Sequence, residues 1–134
     1  MKIYLDIQNT LFELNGRCNF GWVEVIKKLQ DSGKHKIILN TSFKGIELDK
    51  YLQWINEDSW MFSRDKDMEI QPILDVVSEK IYPSKWDWKQ MVENDIMFID
   101  DSALCIDLRT DFEGFVSIVN WDKLDKQFEE NNMY

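Results

Sequence analysis

Ile3-Tyr4-Leu5-Asp6-Ile7-Gln8-Asn9-Thr10-Leu11 is the stretch on which the fold turns. Three apolar residues run into an aspartate, and a short polar segment follows. An apolar run of this length, closed by a charge, reads as a buried strand. The same form returns twice. Ile37-Ile38-Leu39 ends in Asn40-Thr41-Ser42, and Ile96-Met97-Phe98-Ile99 ends in Asp100-Asp101-Ser102. Helical patterns lie between these runs. Asn15, Gly16, Asn19 and Gly21 mark residues 12–21 as a loop. Val23, Ile26 and Leu29 then recur at helical spacing, and Ser32-Gly33 supplies a stop. Leu48, Tyr51, Leu52 and Ile55 give a second amphipathic helix.

Further on, Pro83-Ser84 predicts a helix start, with Ser84 as N-cap and Trp88, Met91 and Val92 turned inward. Phe115 to Val119 predicts one more strand, and Trp121, Leu124 and Phe128 a last helix. Trp60-Met61-Phe62 and Ile73 to Val77 each read as either a strand or a short helix. Buried strands alternating with helices specify an α/β fold: a mostly parallel, Rossmann-like sheet with helices on both faces. The 134 residues fit one domain, 1–134, ending in an acidic tail over 129–134 that is expected to fray.

Sixteen basic residues stand against 25 acidic ones, a net charge of −9 that argues against broad, unassisted binding of nucleic acid. A hydrophobic fraction of 44 % separates the chain from disordered sequences. No apolar run approaches the ~18 residues of a membrane span. The chain opens directly into its first strand without a signal-peptide pattern, and the expected location is the cytoplasm. Two cysteines, Cys18 and Cys105, give no disulfide or zinc framework and read as unreactive thiols. His35 follows Gly33-Lys34 and reads as a solvated turn residue. The six tryptophans are expected chiefly to fill the core, with at most one touching a ligand. The sequence leaves the oligomeric state open.

In a parallel sheet, ligands bind beyond the carboxyl ends of the strands. Those ends gather Asp6, Asp100 and Asp101 at one edge. Three carboxylates in one crevice repel one another, and a hard divalent cation such as Mg²⁺ offsets them. Thr41 and Ser42 add hydroxyls and backbone N–H groups, and Lys85 can add a positive charge. Carboxylates, hydroxyls, a lysine and a metal together suit a phosphoryl group.

Over Met1 to roughly Val119, these motifs resemble those of the haloacid dehalogenase superfamily of aspartyl-phosphate phosphohydrolases. Asp6-Ile7-Gln8-Asn9-Thr10-Leu11 stands where the family has Asp-x-Asp-Gly/Asn-Thr-Leu. Thr41-Ser42 matches the second motif, Lys85 (with Lys80 and Lys89 as rivals) the third, and Asp100-Asp101 the fourth. The Thr-Ser and Ile-Asp-Asp stretches are similar to the 5'(3')-deoxyribonucleotidase and RNA-repair phosphatase branches. The resemblance implies a small haloacid dehalogenase-like domain without a large cap. It implies Asp6 as the nucleophile. Asp6, Asp101 and the carbonyl of Gln8 would hold Mg²⁺, with Asp100 supporting that set or the lysine. Thr41, Ser42 and Lys85 would bind the substrate phosphate. The implied substrate is a phosphorylated small molecule, such as a nucleotide, or a nucleic-acid end.

Gln8 departs from the pattern, because the family has an aspartate there as general acid and base. An amide cannot shuttle a proton near neutral pH, and losing such help costs ~10²–10⁴ in rate. Two readings stay open. One is a phosphatase of reduced or altered activity. The other is a degenerate member that binds a phosphate ligand or regulates a partner.

Overall fold

The structure is a computed structural model that describes every residue except Lys66, Pro83 and Ser84. Three parallel strands form its centre: β1 (Lys2–Leu5), β2 (Lys36–Leu39) and β3 (Ile96–Ile99), in the order β2-β1-β3. Leu5 stands level with Leu39 on one side and Ile99 on the other, so all three apolar runs end in register. The expected α/β class and parallel sheet are present. Ile3, Leu5, Leu39, Met97 and Ile99 are fully buried, which is why these runs carry almost no polar residue.

Helix α1 (Trp22–Asp31) buries Trp22, Val23, Val25, Ile26 and Leu29. Its C-cap is Ser32, and Gly33 follows at φ 68°, a conformation that costs glycine nothing. Helix α2 (Gly45–Asn56) buries Tyr51 and Ile55, leaving Leu48 and Leu52 half-covered. Ser59–Phe62 forms a single 3-10 turn, which settles the ambiguous Trp60-Met61-Phe62 stretch. Helix α3 is short, Trp88–Asn94, and begins later than the sequence suggests. Asp87 is its cap: its carboxylate accepts the Gln90 N–H, and the Gln90 side chain accepts the Asp87 N–H. The expected cap Ser84 lies outside the described residues. Val92, expected to face inward, is 53 % exposed, because this short helix turns Met91 and, in part, Trp88 to the core instead.

Two further strands, β4 (Leu108–Thr110) and β5 (Ser117–Val119), form an antiparallel hairpin outside the main sheet. The expected strand at Phe115–Val119 is therefore shorter, with Phe115 in the exposed hairpin loop, and β4 was not anticipated. Helix α4 (Trp121–Glu130) buries Trp121, Leu124 and Phe128 as expected. The last residues are packed against the fold. Met133 is buried, its N–H donates to the Phe128 carbonyl, and Lys34 donates to the carbonyls of Asn132 and Tyr134. Two apolar residues after the acidic run supply the burial that holds it.

The stretch from Ser63 to Trp86 contains no helix or named strand among its described residues, yet it is fastened. Leu39 pairs with Val76 as an isolated parallel bridge. Three side-chain amides also act as clamps, each meeting both the N–H and the carbonyl of one residue. Gln30 holds Gln71, Asn56 holds Ile73, and Asn40 holds Ile81. Each clamp satisfies two backbone groups that a regular strand would pair with a neighbour. Ile70 and Ile73 join the same core cluster as Tyr51, Ile55 and Met91. Among the described residues no helix is long and apolar enough to cross a membrane.

Candidate active site

Asp6, Thr41 and Asp100 follow the last residues of β1, β2 and β3 closely, so the common register of the strands brings them to one edge. The Asp6 N–H donates to the Ile99 carbonyl at 3.0 Å, and the Asn40 N–H donates to the Leu5 carbonyl at 2.7 Å. These bonds continue the sheet one residue past its strands. One carboxylate oxygen from each of Asp6, Asp100 and Asp101 lies within 4.8 Å of the others. Asp6 and Asp100 are almost fully buried, at 2 % and 1 % exposure, and Asp101 is half-covered.

The cation that meets them is Lys80. Its Nζ lies 3.3 Å from Asp6 Oδ1 and 3.3 Å from Asp100 Oδ2. Lys85, favoured from the sequence, is exposed, and so is Lys89, which pairs with Glu93 one turn along α3. Of the three lysines the resemblance offers, Lys80 is the one that meets the carboxylates. Lys85 lies just before α3 on the surface, whereas the Lys80 side chain is largely covered.

Burial and the facing charges govern the electrostatics. Burial, followed by the charge of Asp100, pushes the Asp6 carboxyl up to about 7 although Lys80 pulls it down. Asp101 is pushed up to about 6 by burial, then by the hydrogen bond and charge of Asp100. Burial also works to raise Asp100, but it is outweighed. Ser102 donates both its N–H (2.9 Å) and its hydroxyl (2.8 Å) to Asp100 Oδ1, and with Asp101 and Lys80 these hold the group below the usual carboxylate range. Burial opposes the Lys80 charge, yet Asp6 and Asp100 raise its pKa overall. Three carboxylates facing one ammonium leave two negative charges in excess when all are ionised.

The remaining residues sit as follows. Thr41 is buried, and its hydroxyl oxygen accepts the Phe43 N–H at 3.1 Å, fixing the turn before α2. Ser42, next to it, is exposed. Gln8 is half-buried, and its carbonyl accepts the Thr10 hydroxyl at 3.3 Å. Asn9 adopts φ 56°, the left-handed region that asparagine tolerates. Its N–H donates to the Phe12 carbonyl and its carbonyl accepts the Val119 N–H, tying the loop to β5. The Asn9 side-chain oxygen is buried with no hydrogen-bond partner among the described residues.

Asn19 and Trp121 support this loop from below. The buried Asn19 amide donates to the carbonyls of Thr10 and Val119, both at 2.9 Å, and the Trp121 indole donates to the Thr10 carbonyl at 2.7 Å. Asn9 also lines a cleft of about 350 Å³, whose other walls are Leu14, Phe115 and Val116 with the acidic Glu13, Asp111 and Glu113.

The three aspartates expected at one edge do meet there. The sequence ranked Lys85 above Lys80 and gave Asn40 and Asn19 no part. Burial pushes the Cys18 thiol up to about 12 and Cys105 up to about 11, which disfavours the thiolate at both. His35 is half-buried, with Nε2 2.6 Å from the Met133 carbonyl, rather than solvated. Of the tryptophans, Trp54 packs with Phe12, Tyr51 and Phe62 in an aromatic cluster, and Trp88 meets Phe128 edge-on. Compared with family models, curated proteins and solved structures, the chain gives no significant match.

Proposed function

We propose that this chain is a Mg²⁺-dependent phosphomonoester hydrolase of the haloacid dehalogenase type, with Asp6 as nucleophile and Lys80, not Lys85, as its lysine. The observation that carries the reading is the meeting of Asp6, Asp100 and Asp101 within 4.8 Å at the ends of adjacent parallel strands, with one ammonium bridging two of them. The donor set fits a hard cation. It is all oxygen, it holds excess negative charge, and Asn9, whose side chain hydrogen-bonds Asp101, has a buried oxygen without a partner among the described residues. Asp6, Asp101 and Asp100 would hold the metal, with the Gln8 carbonyl in the place the resemblance gives it. When bound, the metal would neutralise carboxylate and phosphoryl charge.

The residues do the rest. The Asp6 carboxylate attacks phosphorus, the ester P–O bond breaks, and the leaving oxygen takes the electron pair. Water then attacks the same phosphorus, the bond from Asp6 to phosphorus breaks and returns its electron pair to the carboxylate, and the water protons leave on the product phosphate. Lys80 balances charge on Asp6 and the phosphoryl oxygens, and Thr41 retains a hydroxyl proton to donate to them. Gln8 has no proton to give the leaving group and cannot take one from water. Substrates whose leaving group departs readily as an anion, such as aryl phosphates, are therefore favoured over alkyl phosphates, the class that includes nucleotides and nucleic-acid ends. The adjoining cleft suits a small leaving group with an apolar ring, and its three acidic residues disfavour a long polyanionic strand.

Gln8 also supports a second reading, in which the pocket binds a phosphate ligand without turning it over. One experiment separates the two. Mg²⁺-dependent phosphate release is measured from an aryl phosphate, mononucleotides and end-phosphorylated oligonucleotides, using wild type, Asp6→Asn and Gln8→Asp. The hydrolase reading expects aryl phosphate turnover by wild type, none by Asp6→Asn, and a gain on alkyl phosphates in Gln8→Asp. Silence in wild type with activity in Gln8→Asp would favour the binding role. Silence in all three would sink the phosphoryl-transfer reading.

A further inference from the structure

We propose that Asn40 is a positioning residue, whose side-chain amide clamps Ile81 and thereby sets Lys80 against Asp6 and Asp100. Asn40 is 1 % exposed and follows β2 directly. Its backbone is locked to β1, because its N–H donates to the Leu5 carbonyl, one residue before Asp6. Its side chain reaches the other way. Nδ2 donates to the Ile81 carbonyl at 2.6 Å, and Oδ1 accepts the Ile81 N–H at 2.8 Å. One residue thus joins the strand edge carrying the nucleophile to the segment carrying the lysine.

Among the described residues the other ties of that segment are few, the nearest being Lys80 Nζ over the Tyr82 ring at 5.4 Å. Glu79, Ile81 and Tyr82 around Lys80 are exposed, and no helix or strand contains them. Upstream, Val77 donates to the Leu39 carbonyl and Lys44 donates to the Ser78 carbonyl. Ile81 is the fastening point on the other side of Lys80. A lysine on an unfastened segment gives up both its rotamer freedom and its backbone mobility when it enters a buried pair. The clamp confines the backbone beforehand, so less freedom remains to be lost. The chemistry requires an amide of this length. It offers a donor and an acceptor in one plane, matching the N–H and carbonyl of a single residue. A serine is too short to span both, and an alanine offers neither.

The structure provides a matched control. Asn56 clamps Ile73 in the same reciprocal manner, at 2.9 and 2.8 Å, but Ile73 carries no site residue. The test is acylation by a limiting amine-reactive ester, read lysine by lysine by peptide mass spectrometry. Exposed Lys89 on α3 is the internal reference. In wild type, Lys80 should react at least about tenfold more slowly than Lys89, since it is covered and paired. Asn40→Ala and Asn40→Ser should each speed Lys80 several-fold without changing Lys89, and Asn56→Ala should leave Lys80 slow even where it lowers the melting temperature. Should one Asn40 variant fail to fold, the other serves. Lys80 staying slow in a folded Asn40 variant would overturn the proposal, as would equal acceleration by Asn56→Ala.

This readout needs no turnover, so it judges the clamp even if the hydrolase reading fails. The clamp's part in the reaction does rest on that reading. If wild type hydrolyses an aryl phosphate, Asn40→Ala should lower kcat in the direction of Lys80→Ala, and the double variant should be no worse than Lys80→Ala alone. A double variant showing the full product of both losses would place Asn40 outside the path that acts through Lys80.

Discussion

Lys80 brings a positive charge into a site that already holds three carboxylates, and its two 3.3 Å contacts make it the residue whose loss should be felt first. Removing one preorganised charge from a phosphoryl-transfer site costs ~10²–10³ in kcat. Lys80→Ala should therefore lose about that much aryl phosphatase activity, whereas Lys85→Ala should match wild type in the same assay. The difference between these lysines was not legible in the sequence. Both follow the second motif at plausible distances, and what separates them is the tertiary contact of Lys80 with Asp6 and Asp100, which leaves no pattern in the sequence. The aspartates were legible for the opposite reason. A buried strand with a charge after its last apolar residue declares its own end, and parallel register then places Asp6 beside Asp100 without further information.

Elements follow the same division. The three strands of the parallel sheet and α1, α2 and α4 were readable from apolar runs and helical spacing, because each buries a face wide enough to leave a pattern. Helix α3 is too short for that, and its start is set by a cap. Loss of the Asp87–Gln90 capping box in Asp87→Ala should cost about 1 kcal/mol, seen as a lower urea midpoint with an unchanged slope. The hairpin of β4 and β5 was half-missed because Leu108-Arg109-Thr110 is exposed throughout and shows no apolar alternation. Its tie to the site loop runs through Asn19, which serves Thr10 and Val119 and accepts from Arg109 at 2.8 Å. Asn19→Leu leaves buried backbone carbonyls without that donor and should destabilise by roughly 2–3 kcal/mol, measured by chemical denaturation.

At the scale of the whole molecule, one continuous apolar cluster runs from β1 through α4 to Met133. The end of the chain belongs to it, which an acidic run at 129–130 conceals from a composition reading. His35 reports on this docking. Burial lowers its pKa below the ordinary 6.5, although the Met133 carbonyl partly offsets that. A depressed folded-state value means the neutral ring is favoured in the fold. Its contribution is present above the unfolded value and is lost as pH falls below it. Wild type should lose more stability than His35→Gln between pH 7 and pH 5, by less than about 1 kcal/mol because the ring is only half-buried. The carboxylate cluster adds a second global effect. Mg²⁺ at a hundred times its dissociation constant should stabilise the protein by about 2.7 kcal/mol. That rise in melting temperature should vanish in Asp101→Asn.

The central claim is that Asp6 takes the phosphoryl group, and rapid acid quench tests it most directly. Gln8 cannot activate the water that clears an aspartyl-phosphate, so the intermediate should accumulate after a burst of phenol release from an aryl phosphate. The account predicts a phosphoryl group on the peptide containing Asp6 in quenched wild type, a shorter-lived one in Gln8→Asp, and none in Asp6→Asn. Turnover with no phosphorylated peptide, or with the phosphoryl group on another residue, would contradict it.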